Sequence, residues 1–148
     1  MHWLPPMTIG RMGVLALSFL SMLAACAPGG DSEPSGLPPG NVARGAFLVE
    51  TGMCKSCHAA DLAGSPEPLP GTTIYSSNIT PDLETGIGMW TDKELDDVMR
   101  LGKDDKGEAV CSPMPVYDQM TAQDSADVIA YMRSVPPVPR LVPQSECR

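Results

Sequence analysis

Apolar and polar positions divide the chain into regions of different character. Residues 14–25 form an almost unbroken apolar run behind the basic Arg11. That run is too short to span a bilayer as a stable anchor, so residues 1–25 read as an export signal. Residues 27–40 are almost entirely Gly, Pro, Ser and acid. Such a composition cannot bury enough apolar surface to offset the entropy of ordering, and it predicts a flexible tether over residues 26–40. Helical spacing begins at Asn41, an N-cap, and runs through Val42, Ala46, Phe47, Val49 and Glu50, with Gly52 near the end. Thr91-Asp92-Lys93-Glu94 is a capping box. It is followed by Leu95, Val98 and Met99 on one face and by Gly102 as a stop, which predicts a helix over residues 92–101. A third helix starts from Thr121 and carries Val128, Ile129, Met132 and Val135 on its apolar side until Pro136 and Pro137 end it. Between the first two helices, residues 59–90 are broken by Pro66, Pro68, Pro70 and Pro81, and only residues 72–75 read as extended. An irregular stretch this long needs a reason, and wrapping a bound cofactor is one.

A length of 148 residues accommodates one modest domain, here residues 41–148, with appendages. Aromatics make up 5% of the chain, against 14 Gly and 16 Pro. The apolar core is therefore thin, and a large apolar cofactor would fill it. The formal charge is -8. After residue 25 there are 9 Lys and Arg against 18 Asp and Glu, a net of -9. This excludes nucleic acid as an expected partner and favours salt-sensitive encounters with a basic protein, although such a charge also serves plain solubility.

Five cysteines carry most of the chemistry. Leu23-Ala24-Ala25-Cys26 resembles the lipobox of bacterial lipoproteins, which makes Cys26 a lipid anchor on the periplasmic face of a membrane. Ala27 in the next position favours the outer membrane. Cys54-Lys55-Ser56-Cys57-His58 is the spacing of c-type haem attachment, with two thiols for the two vinyl groups and an imidazole placed under the iron. A thioredoxin-like pair would need a βαβ setting, and a zinc site would need a second ligand pair; the pattern here offers neither. His2 lies in the export signal, so His58 is the one imidazole left for the iron. Among the methionines, Met99 and Met132 fall on apolar helix faces and Met53 abuts the attachment motif, which leaves Met89, Met114 and Met120 for the distal side. Met114, in Ser112-Pro113-Met114-Pro115, sits in a helix-free loop and is the preferred thioether; Met120 is the alternative, read otherwise as docking the start of the last helix. In an oxidising compartment the remaining Cys111 and Cys147 are most simply a disulfide that pins the Pro-rich tail to the Met114 loop. The alternative is Cys111 as a thiolate ligand to iron.

The chain resembles single-haem class I cytochromes c, and within them the modules found with membrane-bound alcohol and gluconate dehydrogenases. The resemblance rests on the attachment motif, on Tyr75-Ser76-Ser77-Asn78-Ile79-Thr80-Pro81-Asp82 with Thr85-Gly86-Ile87-Gly88-Met89-Trp90-Thr91, on Pro113-Met114-Pro115, and on Ala130-Tyr131-Met132-Arg133-Ser134-Val135-Pro136-Pro137-Val138. It implies an all-α fold with crossing first and last helices around one covalent haem c, and with Gly45 and Phe47 packed near Tyr131. It implies Met114 as distal ligand and places Asn78 and Trp90 near the haem propionates, where either side chain would donate a hydrogen bond; plain packing against the porphyrin edge is the other reading of Trp90. An iron saturated by His58 and Met114 has no open position for substrate. The expected role is thus a one-electron shuttle between a membrane or periplasmic dehydrogenase and a terminal acceptor, rather than an enzyme. The rival readings are a haem sensor or peroxidase-like enzyme with a labile Met114, and a haem module that docks a larger membrane complex.

Overall fold

The computed structural model describes residues 35–147. The expected export signal and Cys26 lie outside the described residues. Among the described residues four helices appear in chain order: α1 (Val42–Thr51), α2 (Cys54–His58), α3 (Asp92–Leu101) and α4 (Ala122–Ser134). No strand occurs among the described residues, and a single isolated bridge joins Lys103 and Ala109. The fold is all-α. Residues 72–73, expected to be extended, form bends, and residues 74–79 are irregular.

Local chemistry sets the helix ends. The Asn41 side chain accepts from Arg44 N–H at 3.0 Å. Thr91 with Glu94 and Thr121 with Asp124 complete reciprocal capping boxes at α3 and α4. Gly102 closes α3 in the left-handed region, where it avoids the Cβ penalty. The apolar faces of α3 and α4 meet Val49 of α1 and loop residues in one core of Val49, Leu62, Ile87, Leu95, Met99, Val128, Ile129 and Met132.

The α1–α4 contact depends on absent side chains. A Cβ on Gly45 would stand 2.6 Å from the Asp127 carbonyl carbon and 2.9 Å from the Tyr131 Cβ, and one on Gly40 would stand 2.6 Å from the Ala130 Cβ. Gly45 therefore lies against Tyr131 as expected, but Phe47 does not. Phe47 is 64% exposed, while Val49 is fully buried. At 100° per residue, position 47 sits about 200° around the helix from position 45, on the far side from α4. A cluster of polar groups locks the crossing. The buried Asp127 carboxylate accepts from Asn41 N–H at 2.7 Å, from Gln123 Nε2 at 2.8 Å and from Arg44 Nη1 at 2.5 Å. Burial alone would raise the Asp127 pKa, but the bonds from Arg44, Asn41 and Gln123 outweigh it and hold the carboxyl below its ordinary range.

The expected tether over residues 26–40 needs correction at its end. Leu37 packs on the core. The Pro39 carbonyl accepts from Gln123 Nε2 at 3.0 Å. Together with Gly40 against α4, these contacts start the domain several residues before Asn41.

Candidate functional site

Cys54, Cys57 and His58 share the short helix α2, which is bracketed by two unusual backbone conformations. Met53 has φ 60 and ψ 24, and Ala59 has φ 64 and ψ 166. The second of these falls in a region that is essentially glycine-only and costs about 1–3 kcal/mol for any other residue. The two bends bring the chain sharply into and out of one helical turn, so that all three side chains project from one small feature. Both thiols are free, Cys57 exposed and Cys54 half-buried. Burial raises the Cys54 pKa, against opposing hydrogen bonds from its own backbone and from Tyr117.

His58 is oriented from below. Its Nδ1 stands 2.8 Å from the Ser77 carbonyl. A carbonyl only accepts, so Nδ1 carries a proton, and in the neutral ring the lone pair is then on Nε2. Burial lowers the imidazole pKa, and the Ser77 bond opposes this without reversing it. The ring is thus held through Nδ1, and Nε2 is the nitrogen left for a ligand bond.

Met114 stands half-buried in the segment between Cys111 and Tyr117. Tyr117 anchors that segment beside the attachment helix. Its N–H donates to the Met99 carbonyl at 2.8 Å, and its hydroxyl donates to the Gly52 carbonyl at 3.0 Å, two residues before Cys54. An open, largely apolar groove of about 440 Å³ lies there, bordered by Leu48, Gly52, Tyr117 and Met120. Met120 also packs on the core, as Met99 and Met132 do, and Met89 is 74% exposed. Cys111 and Cys147 form a disulfide with a Cα–Cα distance of 5.2 Å. With its sulfur in that bond, Cys111 is not a thiolate.

Asn78 has a different task from the one expected. Both amide N–H groups are taken, by Thr85 Oγ1 at 3.0 Å and the Val138 carbonyl at 2.8 Å. Its Oδ1 accepts from Thr80 N–H at 3.0 Å and Thr80 Oγ1 at 2.7 Å. The side chain has no donor left for a propionate; instead, it ties the long loop to the chain beyond α4. Trp90 packs half-buried against the core. Its carbonyl and that of Ile87 accept from Arg133, which also pairs with Asp92. Sequence reasoning gave no role to Tyr117, Ser77 or Arg133. Ser77 and Arg133 lie within the motifs that carry the resemblance and Tyr117 lies in none, but the role of each comes from residues that are distant in the chain.

The donor set suits a covalently held haem c. Two unpaired thiols and an imidazole with its Nδ1 fixed by Ser77 sit on one turn, next to an apolar groove, in a chain whose other described cysteines are already joined.

The sequence model of the family described as Cytochrome c matches residues 42–136. The alcohol dehydrogenase (quinone), cytochrome c subunit of Gluconacetobacter polyoxogenes is 40% identical over 105 residues, which cover 66% of this chain and 22% of that protein. The gluconate 2-dehydrogenase cytochrome c subunit of Pantoea cypripedii is 35% identical over 105 residues, covering 66% and 24%. A diheme cytochrome c-type protein of Cereibacter sphaeroides is 34% identical over 113 residues, covering 68% and 38%. The chain thus spans about a quarter or less of the two dehydrogenase subunits that it matches.

Proposed function

The chain belongs to the cytochrome c family, and on that premise we propose that it is a one-electron carrier holding a single haem c. Cys54 and Cys57 would form the thioethers, with His58 Nε2 and the Met114 thioether as axial ligands. The bound group supplies an iron that gains and loses one electron. The observation that carries this reading is the His58 ring: Nδ1–H is spent on Ser77, which turns Nε2 to a ligand beside the two free thiols.

The protein's own residues then do three things. The thiols make the attachment permanent, so dilution cannot strip the cofactor. Ser77 holds the proximal ring in one tautomer and one orientation, which limits the rearrangement that accompanies each electron. With Met114 also bound, the iron would keep no position for substrate, and the protein would transfer electrons without catalysing a reaction of its own.

The donor is a membrane or periplasmic dehydrogenase, a reading supported by relatives named as cytochrome subunits of alcohol and gluconate dehydrogenases. The acceptor is a further redox protein. Lipidation at Cys26 after removal of residues 1–25 would hold the carrier at the periplasmic face of a membrane. No described helix is long and apolar enough to cross a membrane.

The test is an oxidised and reduced optical spectrum of protein matured in a host with haem-attachment machinery, beside the same spectra for Met114→Ala. The expected result is a low-spin spectrum with a thioether-to-iron charge-transfer band that vanishes in the variant, and a mass increase of one haem per chain. A high-spin parent that binds carbon monoxide readily would overturn the proposal.

A further inference from the structure

The chain beyond α4 has no regular structure, yet it is fastened at every few residues to a different part of the loops around the site. Val138 donates to Thr80 Oγ1 at 3.1 Å and accepts from Asn78. Arg140 grips both Asp61 oxygens at 3.0 and 2.7 Å and the Gly64 carbonyl at 3.0 Å. Ser145 Oγ accepts from Tyr75 N–H at 2.8 Å and donates to the Tyr75 carbonyl at 3.1 Å. Cys147 ends the series in its disulfide to Cys111.

Asp61 and Gly64 lie within six residues of His58, Cys111 lies three residues before Met114, and Tyr75, Asn78 and Thr80 lie within three residues of Ser77. Gly64 N–H donates to the His58 carbonyl at 2.9 Å, and Tyr75 lies two residues from Ser77, whose carbonyl holds the His58 ring. At the other end, Met114 N–H donates to the Cys111 carbonyl at 3.0 Å. Residues 112–116 make no hydrogen bond to another element among the described residues. Tyr117 holds them on one side; on the other, the chain is held by Val110 N–H to the Gly102 carbonyl at 2.9 Å and by the disulfide at Cys111.

We propose that residues 138–147 are a strap that couples the two faces of the haem site. The strap positions the Met114 loop, through Cys147 and Cys111, against the same loop that fixes the proximal histidine. This rests on Met114 as the distal ligand. In such an arrangement Cys111, Cys147, Arg140 and Ser145 are positioning residues: they touch no reacting atom, but they set how often Met114 leaves the distal position. Releasing the strap raises the fraction of protein with that position open, and the apparent affinity for an exogenous ligand rises in proportion to that fraction. The expected rise is about 5- to 30-fold, the worth of ordering a single backbone residue.

The experiment compares the holo protein with Cys111→Ser/Cys147→Ser. It measures carbon monoxide binding to the ferrous form and amide hydrogen exchange at residues 111–116. Gly45→Ala serves as a variant that loosens the helix crossing without touching the strap. Support is tighter carbon monoxide binding and faster exchange at Met114 in the double variant, with neither change in Gly45→Ala. A double variant that is less stable overall but keeps the parent's carbon monoxide affinity and Met114 exchange overturns the strap. If the double variant does not fold, Arg140→Ala/Ser145→Ala keeps the disulfide and unhooks the strap elsewhere. The same direction of change is expected there, and no change overturns the proposal. Failure of the ligand reading is separable, because it shows as a Met114→Ala spectrum identical to that of the parent.

Discussion

Adding one methyl group at Gly45 tests the close crossing of α1 and α4. In an isolated helix, Gly→Ala is favourable by about 1 kcal/mol. At Gly45 the new Cβ would lie 2.6 Å from the Asp127 carbonyl carbon and 2.9 Å from the Tyr131 Cβ. Those atoms belong to the α4 backbone or are bonded directly to it, so no change of rotamer clears them and the helices have to separate. Overpacking of this kind costs about 1–3 kcal/mol. Separation also lengthens the Arg44 and Asn41 bonds to Asp127, at roughly 1 kcal/mol more. After the propensity gain is subtracted, the net loss is about 1–3 kcal/mol, and each kcal/mol lowers Tm by roughly 4–8 °C in a domain of this size. Ala43, exposed on the same helix, provides the control. Ala43→Gly loses about 1 kcal/mol through propensity alone. Opposite substitutions in one helix are therefore expected to destabilise alike. Thermal and guanidinium unfolding of the holo protein, followed by far-ultraviolet circular dichroism, measures both. A Gly45→Ala protein as stable as the parent, or more so, would refute the close crossing.

Ala59→Gly removes the Cβ from a glycine-only conformation, a relief of about 1–3 kcal/mol that is partly offset by roughly 1 kcal/mol of added freedom in the unfolded chain. Its unfolding midpoint is expected to rise, and a fall would show that Ala59 is unstrained. Loss of the Cys111–Cys147 bond, with a sequence separation of 36, is expected to cost about 4 kcal/mol by the chain-entropy argument, read as a lower denaturation midpoint for the double serine variant. Acid sensitivity follows from Asp127, whose folded pKa lies below its unfolded value of about 3.9. The unfolded chain binds that proton more strongly, so the stabilisation is complete above the unfolded pKa and is lost as pH falls through the folded one. Stability measured from pH 6 down to pH 2 should fall less steeply in Asp127→Asn than in the parent; equal slopes would remove Asp127 from the account.

Much of the fold is legible in sequence because it is locally determined. The capping boxes at Thr91 and Thr121 bond residues three apart, and they locate α3 and α4 without knowledge of anything else. Leu95, Met99, Val128, Ile129 and Met132 are buried because their spacing places them on one face of a helix. The attachment motif is likewise complete within five residues, and it identifies the family chemistry before any fold is known.

Tertiary structure decided the matters that depend on distant residues. Which side of α1 faces inward was ambiguous from Val42, Phe47 and Val49 alone, and α4 settled it by meeting Gly45. The docking of Leu37 and Gly40 was hidden by a composition that resembles a linker. Asn78 sits within a motif, yet its role comes from Val138, 60 residues away, and Asp127 takes a hydrogen bond from Asn41, 86 residues away. Capping and periodicity express energies between neighbours in the chain, so a sequence displays them directly. Which buried donor meets which acceptor is fixed only when helices and loops close on each other, and that closure gave Ser77, Tyr117 and the strap their roles.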